Sequence, residues 1–165
     1  MSDKRELILT ASGFKRIEAE LDQLQSVRRQ EVANHIRDAM AFGDIAENPE
    51  YESAKNEQAF VEGRIIELKS ILNVAHVVDD TKAPTDVVGI GSVVTVRDLE
   101  MDEEWDYTIV GSVEADPDED RISNESPIGE ALLGNKVGAV VEFKIPAGKA
   151  RYEIVNIRRS GGTPP

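Results

Sequence analysis

Cysteine is absent from the chain, which excludes disulfides, thiolate metal sites and cysteine nucleophiles and fits a reducing cytosol. Aromatic residues make up only 5% and the net charge is −13. That balance excludes general wrapping of duplex nucleic acid, because neutralising phosphates requires a concentrated basic surface. Any contact with nucleic acid should be local or indirect. No apolar run approaches the roughly 18 residues of a membrane span, and Met1-Ser2-Asp3-Lys4-Arg5 precedes no apolar stretch of signal-peptide length. A soluble cytoplasmic protein with no membrane partner is expected. The two histidines, His35 and His76, lack metal-ligand spacing and are assigned no chemistry.

Two long heptad-like stripes dominate the first half. A chain of 165 residues with 40% hydrophobic content suits two small domains better than one large core. Thr10 is placed to cap a helix beginning near Ala11, with Leu9 and Phe14 as a hydrophobic staple. Phe14, Ile17, Leu21 and Leu24 follow a 3-4-3 spacing. The stripe then crosses the polar run from Ser26 to Gln30 and resumes, out of phase, at Val32, Ile36 and Met40. A helix from Ala11 to Phe42 would be roughly 48 Å long at about 1.5 Å per residue. The second stripe, through Tyr51, Ala54, Gln58, Val61, Ile65, Leu68 and Leu72, alternates steps of three and four. A short connection between such helices predicts an antiparallel hairpin. A coiled-coil dimerisation module is the competing reading, and the polar tip that interrupts the pattern at its midpoint argues against it.

That tip reads Gly43-Asp44-Ile45-Ala46-Glu47-Asn48-Pro49-Glu50-Tyr51. Asn48 before Pro49 is a helix-start signal, since Asn accepts from orphan amides and Pro fits the first helical position. Asp44 and Glu47 then stand at the tight end of the hairpin, with no basic residue between Arg37 and Lys55. Asp44-x-x-Glu47 also matches a capping box. With Asp44 as the cap, Pro49 would fall inside the helix at a cost of about 3 kcal/mol. The pair therefore reads as ligands offered to a cation such as magnesium, which is commonly held by one or two carboxylates plus phosphates and waters. Two acids alone do not hold it tightly, so the remaining ligands must come from a partner or a nucleic acid.

The composition changes after Asn73. Val77-Val78 is a short strand-like run, and residues 79–86 read as a linker. Beyond it, Ser92 to Val96, Trp105 to Val110, Ala139 to Lys144 and Arg151 to Ile157 alternate as strands, the last with Tyr152, Ile154 and Val155 as its apolar positions. A small antiparallel sheet is expected, with a short helix opened by Ser126-Pro127 and closed by Gly134. The fold class is α+β. The segment from Asp98 to Asp120 holds eleven acids and no base. It lacks calcium-loop spacing and reads as solvated loop. The tail from Ser160 to Pro165 is expected to be flexible.

Several of these stretches together carry a resemblance. Val27-Arg28-Arg29, the tip pattern Gly43-Asp44-x-x-Glu47-Asn48-x-Glu50-Tyr51, Glu62-Gly63-Arg64-Ile65, and Ser126-Pro127-Ile128 with Leu133-Gly134 resemble the bacterial GreA/GreB family of transcript cleavage factors, in its GreA type. The likeness runs from about Leu9 to Ile157. It implies a coiled-coil finger (residues 1–78), the linker, and an FKBP-like globular domain with a flexible tail (87–165). It implies docking on bacterial RNA polymerase within a transcribing DNA complex. The finger enters the secondary channel, where it acts on the nascent RNA 3′ end indirectly. Asp44 and Glu47 would help hold a magnesium ion shared with the polymerase, supported by Gly43, Asn48, Glu50 and Tyr51, with no cofactor of the chain's own. The polymerase would then hydrolyse its own backtracked RNA into short 3′ fragments and resume elongation. The chain is thus expected to be an accessory factor and not an enzyme, acting as a monomer. Ala46, Pro49 and Met40 depart from the family's common tip residues.

Two alternatives belong to other classes. One is an antagonist of the same fold that plugs the channel without promoting cleavage; such tips carry a more crowded set of aspartates. The other is a peptidyl-prolyl isomerase or chaperone, suggested by the FKBP-like domain, for which Trp105, Tyr107, Phe143 and Tyr152 are few aromatics to line a site.

Overall fold

In the computed structural model, which describes residues 7–41, 43 and 45–159, the apolar lead before the first helix is a strand. This strand, β1 (Ile8–Thr10), runs parallel to β2 (His76–Val78), with Leu9 opposite Val77. Helix α1 (Ala11–Gln23) follows at once. Thr10 caps it as expected, its Oγ1 accepting from the Gly13 amide at 3.0 Å.

The phase shift in the first stripe has a structural cause. Leu24–Arg28 form a π turn between α1 and α2 (Arg29–Met40). Leu24 and Val32 are eight residues apart, whereas two α-helical turns use about 7.2. A turn closed from i to i+5 absorbs the extra residue. Ser26 Oγ donates to the Asp22 carbonyl at 2.6 Å, covering an acceptor at the widened turn. Val32 thereby returns to the seam against Val61 and Ile65 of α3 (Pro49–Val74), with Leu21, Leu24 and Ile36 around them. Met40 does not close the stripe. It is 49% exposed, and Ala39 is buried in its place, because a step of four from Val32 to Ile36 must be followed by a step of three to stay on a heptad seam.

Ion pairs cross the hairpin beside this seam. Arg64 binds Glu20 through Nε and Nη2 at 2.8 and 3.1 Å, and Arg29 binds Glu62 through the same pair of atoms at 2.7 and 2.8 Å. The Arg29 hydrogen bonds hold the Glu62 carboxyl below its ordinary value of 4.5. A carboxyl depressed in the folded state contributes stability above its unfolded value, and that contribution is lost as pH falls through the folded value. Circular-dichroism melts of the full chain should therefore show the helices loosening as pH drops below 4.5, and Glu62→Gln should flatten that acid dependence.

The second unit is built on a five-stranded sheet in the order β5-β4-β3-β7-β6. Its elements are β3 (Ser92–Asp98), β4 (Glu103–Val110), β5 (Arg121–Ser123), α4 (Pro127–Leu132), β6 (Val140–Ile145) and β7 (Gly148–Arg159). The expected antiparallel sheet is corrected to a mixed one, since β5 lies parallel to β4 at one edge. Val155 is corrected too. A bulge between β3 and β7 moves the pairing from Thr95–Asn156 to Val96–Ile154, so Ile154 and Ile157 are both buried while Val155 faces out, 37% exposed. Ser126 Oγ caps α4, accepting from the Gly129 amide at 3.1 Å. Val94, Val96, Ile109, Leu132 and Ile154 form the centre of the core.

Residues grouped by contact give the hairpin as Lys15–Val74, with the described residues on either side of it forming the second unit. Strands β1 and β2 thus group with the sheet. Part of the expected linker 79–86 is packed: Asp79 Oδ1 accepts from the Thr81 amide at 3.0 Å, starting a turn in which Asp80 and then Ala83 are buried. The acidic segment also departs from a wholly solvated loop. Glu114 is buried, taking the Thr10 amide on Oε2 at 2.8 Å and the Thr10 hydroxyl on Oε1 at 2.6 Å.

Candidate functional site

Helix α2 ends at Met40 and α3 begins at Pro49, so the polar tip is a connection held at both ends. Gly43 has φ +111 with open space around its Cβ position, so glycine is needed there for backbone conformation and not for room. A short 3-10 turn, Ile45–Glu47, follows. Asn48 then does two things with one side chain. Its Oδ1 accepts from the Glu50 amide at 3.0 Å and the Tyr51 amide at 3.4 Å, capping α3, while its Nδ2 donates to the Ala39 carbonyl at 2.8 Å. A side-chain amide offers the acceptor and the donor on separate atoms, which lets it face both helices at once. The helix start predicted at Asn48-Pro49 is therefore present, with an added brace to the end of α2.

This arrangement presents Glu47. It is exposed, and among the described residues its carboxylate has no hydrogen bond or ion pair. Asp44 lies outside the described residues. Glu50 is largely exposed, 3.8 Å from His35 Nε2, and Tyr51 is half-buried. An exposed, uncommitted carboxylate is a suitable hard-oxygen donor for magnesium. Among the described residues no group of three or more His, Asp or Glu could hold a metal ion.

Asn48→Ala should cost about 1 kcal/mol through the lost cap and free the end of α2. Asn48→Asp, which keeps the acceptor and loses the donor, should retain the cap but not the brace. Urea denaturation of the two variants separates these contributions.

A further cluster sits on the same stretch of hairpin. Glu57 accepts from Arg28 Nη2 and lies 3.1 Å from His35 Nδ1, and Arg28 also reaches Glu31 at 3.1 Å. His35 was assigned no chemistry, yet a pattern was there. Arg28 and His35 are one heptad apart on one helix, and so are Glu50 and Glu57 on the other.

Comparison with known proteins is decisive for the family. The family model for the transcription elongation factor N-terminal domain matches residues 7–77, and that for the GreA/GreB C-terminal domain matches residues 83–159. Transcription elongation factor GreA of Alkaliphilus oremlandii is 57% identical over 159 residues, covering 96% of this chain and 100% of that one. The chain belongs to the GreA/GreB family of transcription elongation factors. GreA of Clostridium kluyveri is 52% identical over the same shares of the two chains. The crystal structure of GreA factor homolog 1 of Thermus thermophilus is 33% identical, with a TM-score of 0.42, covering 93% of this chain and 99% of that one.

In this GreA/GreB factor the four aromatics weighed for an isomerase pack on one another. Tyr152 meets Trp105 at 5.3 Å and Phe143 at 4.9 Å, edge to face, and Trp105 meets Tyr107 at 6.1 Å. Burial pushes the Tyr152 phenol up to about 12. The rings extend the hydrophobic core. Among the described residues no helix is long and apolar enough to cross a membrane.

Proposed function

We propose that the chain binds bacterial RNA polymerase through its secondary channel and stimulates the polymerase's own cleavage of backtracked nascent RNA, releasing short 3′ fragments. The observation that carries this reading is the uncommitted Glu47 carboxylate, held at the end of a hairpin whose two helices are tied by Asn48. Helix α3 has 26 residues, about 39 Å at roughly 1.5 Å per residue, long enough to carry an acid into a deep channel.

Asp44 and Glu47 would add carboxylate oxygens to a magnesium ion that the polymerase also ligates. When bound, the ion stabilises the attacking and leaving oxygens of phosphodiester hydrolysis. This chain's part is placement. The helices carry the acids, Gly43 turns the chain, Asn48 fixes the turn, and Pro49 starts α3 without an amide to satisfy. The chain is an accessory to the polymerase's active centre, working in the cytoplasm on the transcribing complex.

The tip's charge bears on which RNAs are cut. From Arg37 to Glu57 the sequence has two bases, Arg37 and Lys55, against six acids, a field that repels a long extruded strand. Addition of the full chain to stalled polymerase complexes of known backtrack depth should release short 3′ fragments and act weakly on deep backtracks. Binding without RNA shortening would favour the channel-plugging antagonist, and efficient release of long fragments would contradict the charge argument.

A further inference from the structure

The hairpin is unevenly held. Its large buried apolar residues are Ile17, Val32, Val61, Ile65 and Leu68, with Leu21, Leu24 and Ile36 packed around Val32, Val61 and Ile65. Nearer the tip, among the described residues, the fully buried seam residues are Ala39 and Ala54. Each offers a single methyl, worth about 0.8 kcal/mol when buried. The seam position between Ala54 and Val61 is the polar Gln58. On the other helix the π turn ends at Arg28, on the far side of Val32 from the tip, and such turns replace regular α bonding. Among the described residues, apolar packing thins toward the tip.

Polar ties replace it, and they converge on one carboxylate. Glu57, on α3 and about a quarter exposed (26%), bonds Arg28 at the end of the π turn and His35 near the middle of α2. The two partners are seven residues apart on their own helix, so a single acid spans two turns of it. The His35 hydrogen bond, followed by the Arg28 charge, holds the Glu57 carboxyl below its ordinary value of 4.5 against the desolvation that opposes them. Glu57 is therefore ionised at neutral pH. Beyond it toward the tip, the helices are tied by the Asn48 brace to Ala39 and by the approach of His35 Nε2 to Glu50 at 3.8 Å.

We infer that Glu57 is a positioning residue, which clamps the end of the π turn and the middle of α2 onto α3 and so fixes where the tip acids stand. The inference rests on the proposed function, because positioning matters only if the tip works in an active centre. Glu57 touches no reacting atom. Its effect is geometric, and misplacement of a catalytic group by about 1 Å can cost roughly a hundredfold in rate.

The test uses the full chain. Because it has no cysteine, Ala41→Cys with Glu52→Cys gives a unique spin-label pair across the distal hairpin. Glu57→Ala should broaden the label distance distribution and lower the maximal rate of RNA cleavage, at saturating factor on a backtracked polymerase complex, by about tenfold. Polymerase affinity should be unchanged. Glu57→Gln keeps the side-chain length and one oxygen for Arg28, with an NH2 in place of the oxygen that faces His35, so it should fall between wild type and alanine in both rate and distribution width. A narrow distribution and full cleavage in Glu57→Ala would overturn the inference, as would equal losses of binding and cleavage. A wild-type chain that stimulates no cleavage counts against the proposed function, and the label distances then decide this inference alone.

Discussion

Glu47→Ala and Asp44→Ala should each lower stimulated RNA cleavage by roughly a hundredfold while polymerase binding survives. Glu47 is exposed, and its carboxylate bonds no described residue, so trimming it removes no side-chain bond to the described part of the hairpin. The fold at the tip is held by Asn48 and Gly43 instead. A loss of cleavage can therefore be assigned to the missing carboxylate and not to unfolding. Glu47→Gln should behave like alanine, because a neutral amide retains the shape but is a poor ligand for a hard dication. The readout is cleavage rate at saturating factor beside a binding titration. Parallel loss of both would make the tip an anchor instead.

Glu114→Ala should destabilise the second unit by about 3 kcal/mol, since two charge-assisted hydrogen bonds are lost and their donors stay buried. The donors are the amide and hydroxyl of Thr10, and Thr10 is itself the cap of α1. The carboxylate also lies against Gly13, where an added Cβ would overlap its oxygen, so it sits at the positive end of the helix dipole. Loss of the acid thus weakens the capped start of the first helix as well as β1. Glu114→Gln, with one accepting oxygen left, should fall between wild type and alanine. Urea denaturation of the full chain measures both, and an alanine variant within about 0.5 kcal/mol of wild type would show that the buried acid is incidental.

The helices were legible because their signals are local. Asn48-Pro49 marked the start of α3, and the three-four alternation marked its buried face. The break in the first stripe was visible as a phase shift, although a missing step in a hydrophobic pattern does not by itself distinguish a π turn from a kink. Met40 was misplaced and Ala39 missed because a large apolar side chain outweighs a methyl in any pattern reading, whereas the heptad step decides which of them faces inward. The sheet was legible where strands alternate. Strand β5 is three residues long and pairs in parallel, so neither length nor a hairpin turn announces it. Glu114 was hidden in an acidic run, and its partner Thr10 stands 104 residues earlier. The tip acids stand out in the sequence by their position between two helices, but the Arg28, His35 and Glu57 cluster depends on the register between those helices. That register is set by the π turn, so it becomes readable only once the turn is known.

The most direct test of the tip's role is the magnesium dependence of RNA cleavage by a backtracked polymerase, with no factor, with the wild-type chain and with Glu47→Ala. If Asp44 and Glu47 add oxygens to a weakly held ion, wild type should lower the magnesium concentration for half-maximal cleavage by roughly tenfold or more, and Glu47→Ala should return it close to the factor-free value. The same half-maximal magnesium concentration in all three would contradict a tip that helps hold the ion.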